Sequence, residues 1–211
     1  MVTASQAVPT STDTGQLLPT GFDPGNGSAK LIVNGTEIRI PSLIAPLHSD
    51  IYEVPLVNTG SLITYRSGTR TDLINQRWFA GSSAYTYSPN GHQKVVDDRK
   101  GKIKFGLQLL LGAIGTSPQR SSWKLGLMLS IQDAQAFGKE LTEAVAGHHD
   151  ISINDNLAST RVEIDVLGCE RGRTRRNRSR RHYRRHRHQN AEHSDRCRTR
   201  HDYYFCVWHR R

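Results

Sequence analysis

Three short apolar runs open the chain: Leu17-Leu18 leading to Gly21-Phe22, then Leu31-Ile32-Val33, then the alternating Thr36-Glu37-Ile38-Arg39-Ile40 ending in Pro41-Ser42. Short runs bounded by turn residues predict strands. The turns are Asp23-Pro24-Gly25-Asn26-Gly27 and the pair Asn34-Gly35, which suits a type I′ hairpin. A three-strand meander is therefore expected. From Ser42 to Gly101 the chain is rich in Ser, Thr, Gly and Tyr, with strand-like runs at Ile51–Val57, Ser61–Tyr65 and Gln76–Tyr87. This segment, about 42–101, reads as a β-containing insertion. Its aromatic residues Tyr52, Tyr65, Trp78, Phe79, Tyr85 and Tyr87 read as core and strand-pairing side chains rather than a ligand platform.

The pattern then changes period. Ile103, Leu107, Leu110, Leu111 and Ile114 recur at helical spacing and predict one buried helix. Trp123 to Ile131 alternates as a strand, and Asp133 is placed to cap a second helix through Val145 that Gly147 stops. Asp150–Asn154 and Arg161–Val166 predict a final hairpin. His148 and His149 beside Asp150 do not form a ligand pair, because neighbours in a strand point to opposite faces. Asp97-Asp98, among Arg99, Lys100 and Lys102, reads as a solvated loop entering the first helix.

The first turn carries candidate chemistry. Gly25 and Gly27 have no Cβ to hold an anion away from consecutive backbone amides. Lys30 can meet phosphate oxygens, and Asp23 can hold Mg²⁺ through its waters. Turn chemistry alone accounts equally well for Asp, Pro, Asn and Gly at these positions.

An Asp, then Gly two and four residues on, then Lys seven residues on, resembles the first phosphate loop of the actin, Hsp70 and sugar-kinase superfamily. The meander ending in Pro41-Ser42 and the segment Trp78-Phe79-Ala80-Gly81-Ser82-Ser83-Ala84 extend the likeness, which covers about residues 16–168 and is strongest for bacterial plasmid-segregation proteins of the ParM and StbA type. The resemblance implies an α/β, RNase-H-like (actin-like ATPase) N-terminal domain that binds ATP with Mg²⁺. Asp23, Gly25, Asn26, Gly27 and Lys30 would form the nucleotide site, with Asp23 holding the metal through water. It also implies self-association into filaments, plasmid DNA as cargo through an adaptor, and no catalytic residue in this stretch. In the resembled fold, filament contacts involve the region corresponding to 42–101.

Charge separates the tail from this domain. Of 29 Lys+Arg and 19 Asp+Glu, residues 169–211 hold 15 basic and 4 acidic, leaving 14 against 15 before them. Residues 1–15 are polar and read as a disordered leader, 16–168 as the domain, and 169–211 as a disordered Arg/His-rich tail. Such a tail could bind nucleic acid non-specifically by phosphate neutralisation, the alternative function for the chain. Cys197, His201, Cys206 and His209 match no zinc spacing. The cysteines, Cys169, Cys197 and Cys206, all lie in the tail, and no apolar run reaches the ~20 residues of a bilayer span, so a cytoplasmic location and no membrane partner are expected.

Beyond Val166 the resembled family has a Glu or Gln loop ending in Gly-Ala and a second Asp-x-Gly phosphate loop, and neither is present. Both reappear when the tail is back-translated and read one base on. Cys169–Asn177 can spell Val-Ser-Glu-Gly-Gly-His-Gly-Ala-Ile, and Arg196–Trp208 can spell Asp-Ala-Gly-His-Gly-Thr-Thr-Ile-Ile-Ser-Val-Phe-Gly. The tail is therefore expected to be out of frame, and the chain to be weak or inactive as an ATPase.

Overall fold

The computed structural model describes residues 16–49, 57–98 and 100–172. Strands β1 (Leu18–Pro24), β2 (Ser28–Val33) and β3 (Thr36–Pro41) form an antiparallel meander. Asn34 and Gly35 close the second hairpin at φ 47° and 82°, the left-handed pair that a type I′ turn needs. Ala29, Leu31 and Val33 are buried while Ser28, Lys30 and Ile32 are half-buried, so strand alternation sends one face to the core.

Segment 42–101 supplies β4 (Leu43–Leu47), β5 (Gly60–Gly68), β6 (Arg77–Gly81) and the two-residue β7 (Gln93–Lys94). These strands continue the same sheet rather than forming one of their own. The run at 76–87 is not a single strand. At Gly81 the chain takes φ 70° and turns into a short helix, α1 (Ser82–Tyr87). A Cβ at Gly81 would collide with the Thr59 carbonyl, so glycine marks the break that the apolar run Trp78-Phe79-Ala80 conceals. The run at 51–57 lies outside the described residues except for Val57.

Helix α2 (Gly101–Gly115), strand β8 (Ser122–Ile131), helix α3 (Ala134–Val145) and strands β9 (Gly147–Ile153) and β10 (Ser159–Arg171) complete the fold. The Asp133 carboxylate accepts the Ala136 N–H at 3.2 Å and caps α3. Gly147, at φ 119°, already begins β9. Among the described residues the sheet order is β3-β2-β1-β8-β10-β9-β5-β6-β4-β7, with β1, β8 and β10 parallel to one another.

The main core joins α2 and α3 to one face of the sheet through Leu107, Leu110, Leu111, Ile114, Leu141, Leu127 and Ile164. Leu109 and Ala113 are fully buried too, so α2 is enclosed on more than the single face its spacing predicts. A smaller cluster of Ala45, Leu47, Leu62, Phe79 and Ala84 packs with Leu43 and Tyr87. Trp78, Phe79 and Tyr65 are core residues, whereas Tyr85 is exposed and Tyr52 lies outside the described residues.

The composition boundary after 168 falls inside a strand. Cys169, Glu170 and Arg171 pair with Leu129, Ser130 and Ile131, and the Gly172 N–H donates to the Ile131 carbonyl at 2.8 Å. Ladder hydrogen bonds come from backbone that every residue carries, so a change of side-chain composition does not mark where they stop. Residues 1–15 and 173–211, including Cys197, His201, Cys206 and His209, lie outside the described residues.

Candidate functional site

The register brings three chain segments to one end of the sheet. Phe22 of β1 stands level with Leu129 of β8, and Ile131 at the end of β8 stands level with Arg171 of β10. The turn at 25–27, the Gln132-Asp133 entry to α3 and Arg171-Gly172 therefore gather beyond the C-terminal ends of the three parallel strands. In open α/β sheets ligands bind at that end.

Within the turn the two glycines have different reasons to be there. A Cβ at Gly25 would stand 2.6 Å from the Ser28 carbonyl oxygen, so the turn itself demands glycine. Gly27 has nothing within 4 Å of the same position, and neither residue has a positive φ. The fold leaves Gly27 facing open space. Ser42 holds the other side of the turn, its hydroxyl donating to the Gly25 carbonyl and its N–H to the Gly27 carbonyl at 3.3 Å. Among the described residues the Asn26 and Gly27 amides have no acceptor. The turn is thus held through its carbonyls, and the amides of its two exposed residues are left without a protein partner among the described residues.

Asp23 and Lys30 are directly opposed in the β1–β2 ladder, so their side chains share a face, and both are half-buried. Lys30 is opposed on its other side by Arg39 of β3. A further cation approaches. Burial pushes the Lys102 ammonium in the first turn of α2 below its usual range, and the Asp23 carboxylate opposes that shift. Sequence reasoning placed Lys102 in a solvated loop and missed this proximity. A signal existed: the first turn of α2 holds no acid, yet Lys100, Lys102 and Lys104 crowd a helix end that disfavours cations.

Two of these lysines are otherwise engaged. Lys100 Nζ meets Glu140 at 3.0 Å, and Lys104 lies 4.9 Å over the Phe105 ring. Asp98 accepts the Lys100 N–H at 2.8 Å, and both Asp97 and Asp98 are exposed, as a solvated helix entry requires.

His148 and His149 part as strand alternation demands: the first is exposed and the second fully buried. Among the described residues no cluster of His, Cys, Asp and Glu could hold a metal ion. A shallow depression of about 460 Å³, lined by Ser122, Trp123, Lys124, Asp150, Arg161 and Glu163, lies at the other end of β8 and β10. No described helix is long and apolar enough to cross a membrane.

A mixed α/β sheet whose first hairpin turns through glycine beyond its parallel strand ends defines the class: this is the actin-like ATPase fold. Residues 21–169 match the family described as Actin like proteins N terminal domain, and the chain belongs to that family. Similar solved structures include Bacillus thuringiensis ParM in apo form, at 16% identity and TM-score 0.56 over 74% of this chain and 46% of that one. Apo psk41 ParM matches at 14% identity and TM-score 0.52, over 74% of this chain and 49% of that one. A Bacillus thuringiensis ParM hybrid with ADP matches at 16% identity and TM-score 0.50, over 75% of this chain and 22% of that one. At these identities the likeness is one of fold. The chain spans about half the length of the first two relatives. No curated protein matches it.

Proposed function

We propose that this chain carries the first phosphate-binding half of an ATP site in a plasmid-segregation protein of the ParM and StbA type. The observation that carries the reading is the turn at 25–27, with Gly25 imposed by the fold, Gly27 facing open space and two amides without acceptors among the described residues. The Asn26 and Gly27 N–H groups would receive phosphate oxygens, and Lys30 would neutralise them on the face it shares with Asp23. Asp23 would hold Mg²⁺ through its waters, the usual mode for that ion beside nucleotide. When bound, the metal supplies charge neutralisation at the phosphates, and this half of the site supplies positioning. A ParM relative carries ADP, which agrees with the reading. Hydrolysis by the 211-residue chain is expected to be weak or absent, because it holds only the first of the two facing loops. In this reading the chain works in the bacterial cytoplasm, and filament assembly and plasmid DNA bound through an adaptor belong to the whole protein.

The test is equilibrium binding of a fluorescent ATP analogue with Mg²⁺ to the full chain and to Gly27→Val and Lys30→Ala. Gly27→Val should abolish binding with an unchanged melting curve, since a Cβ at that position has no protein atom within 4 Å. Lys30→Ala should weaken binding roughly tenfold, the scale of one lost charge-assisted hydrogen bond. Equal binding by all three chains would sink the proposal. The charge segregation in the sequence favours a second reading, nucleic-acid binding by the Arg-rich tail. Filter binding of mixed DNA at two salt concentrations tests it, and a steep loss of affinity with salt is the expected result.

A further inference from the structure

Among the described residues the sheet ends in an open edge at β3, and the chemistry of that edge is complementary to itself. Among the described residues β3 pairs with β2 alone. A two-residue hairpin makes its closing pair, here Val33 and Thr36, a hydrogen-bonded one, and every second pair after it follows suit. The bond from the Ser42 N–H to the Gly27 carbonyl lies in the same phase. The backbone groups of Thr36, Ile38 and Ile40 therefore face β2, and those of Glu37 and Arg39 face outward. Glu37 and Arg39 are also the exposed charged residues of the strand, and they bond each other at 2.8 Å along it.

We propose that two copies of this chain associate through β3, antiparallel about a two-fold axis at Ile38. In that register Glu37 lies opposite Arg39 of the second copy, and Arg39 opposite its Glu37. These are the residues whose N–H and C=O groups point outward, so each pair closes a ring of two backbone hydrogen bonds and adds a cross-strand ion pair. Ile38, half-buried against the core, meets its own copy on the other face in the close, non-hydrogen-bonded spacing.

Other registers fail for stated reasons. A slip of two residues sets Glu37 against Glu37 or Arg39 against Arg39, and a slip of one brings the wrong backbone groups together. A parallel in-register pairing sets like against like at both positions. Pro41 has no N–H to extend the ladder, which keeps the contact short and the dimer weak. The charges that would guard a lone edge against indiscriminate pairing here select one partner arrangement. A two-fold contact closes at two copies, unlike the head-to-tail contact that builds a filament, and it requires no nucleotide.

The experiment is sedimentation velocity on the full chain over a concentration series without nucleotide, for the parent, Glu37→Arg, Arg39→Glu, and an equimolar mixture of the two variants. Both side chains are exposed, so melting curves should coincide. The parent should show a reversible monomer–dimer equilibrium. Each single reversal turns both ion pairs repulsive and should weaken dimerisation roughly tenfold or more. The mixture should restore it, because an all-basic edge then faces an all-acidic one. A parent that stays monomeric at every concentration, single variants that dimerise as well as the parent, or a mixture that recovers nothing would each overturn the proposal.

Discussion

Buried His149 shows how much one side chain depends on partners far along the chain. Its Nε2–H donates to the Val145 carbonyl at 3.2 Å, and its Nδ1 accepts the Tyr65 hydroxyl at 2.8 Å. The Tyr65 oxygen in turn accepts the Arg70 N–H at 3.2 Å. This chain of donors fixes the neutral tautomer. Burial, more than any neighbouring charge, lowers the His149 pKa from its ordinary 6.5 to about 4. The unfolded chain therefore binds more protons between those values. Stability held by neutral His149 is complete above about pH 6.5, drains as pH falls and is gone below about 4, a total of about 3 kcal/mol. Urea unfolding at pH 7 and 5.5, where most carboxylates stay ionised, should differ by about 1 kcal/mol in favour of pH 7. Equal stability at the two pH values would contradict this account. Tyr65→Phe should cost about 1–3 kcal/mol by stranding Nδ1 and the Arg70 N–H, measured in the same way at pH 7. That His148 and His149 point apart was legible from strand period, but Tyr65, on β5, was not legible as a partner.

Among the elements, α2 shows where helix propensity and packing disagree. Gly112 sits in its interior, where glycine costs about 1 kcal/mol relative to alanine. A Cβ there would collide with Ala80 of β6, and the Gly112 carbonyl accepts the Ser61 hydroxyl at 2.9 Å. Close approach of helix to sheet outweighs propensity. Gly112→Ala should therefore destabilise by about 1–3 kcal/mol despite the better helix former, as urea melts would show; a stabilised variant would mean that α2 does not press against Ala80. Asp133→Ala should cost about 1 kcal/mol through loss of the α3 cap, in the same assay. The cap could be read from spacing alone because its donor lies three residues away. The break at Gly81 could not, because it depends on Thr59, which the fold brings in from another part of the chain.

At the scale of the whole molecule, the arrangement of β10 bears on the reading frame of the tail. Position 171 lies level with Ile131, at the end of the sheet that holds the glycine turn. In the frame shifted by one base, that position can be written as the Glu of a Glu-Gly-Gly-His-Gly-Ala stretch. We propose that the sequence from about Cys169 onward is read out of frame. Sequencing the gene around codon 168 and beyond should reveal a shifted frame that stays open through an Asp-x-Gly loop into a further actin-like half. Early stops in that frame would reject the idea and leave the basic tail as a functional arm.

Local rules were enough for the elements that depend on near neighbours. The meander, the type I′ turn at Asn34-Gly35, α2, the capped α3 and the last hairpin follow from period, turn chemistry and capping, each acting over a few residues. The Asp23–Lys30 pairing belongs with them, because a short hairpin sets its own register. Tertiary structure alone decided that segment 42–101 extends one sheet through β5 and β9, that the Asp23 carboxylate acts on Lys102 of α2, and that, among the described residues, no further strand joins the sheet beyond β3. These depend on which distant strands become neighbours, and backbone hydrogen bonds that join them are the same for nearly every residue type.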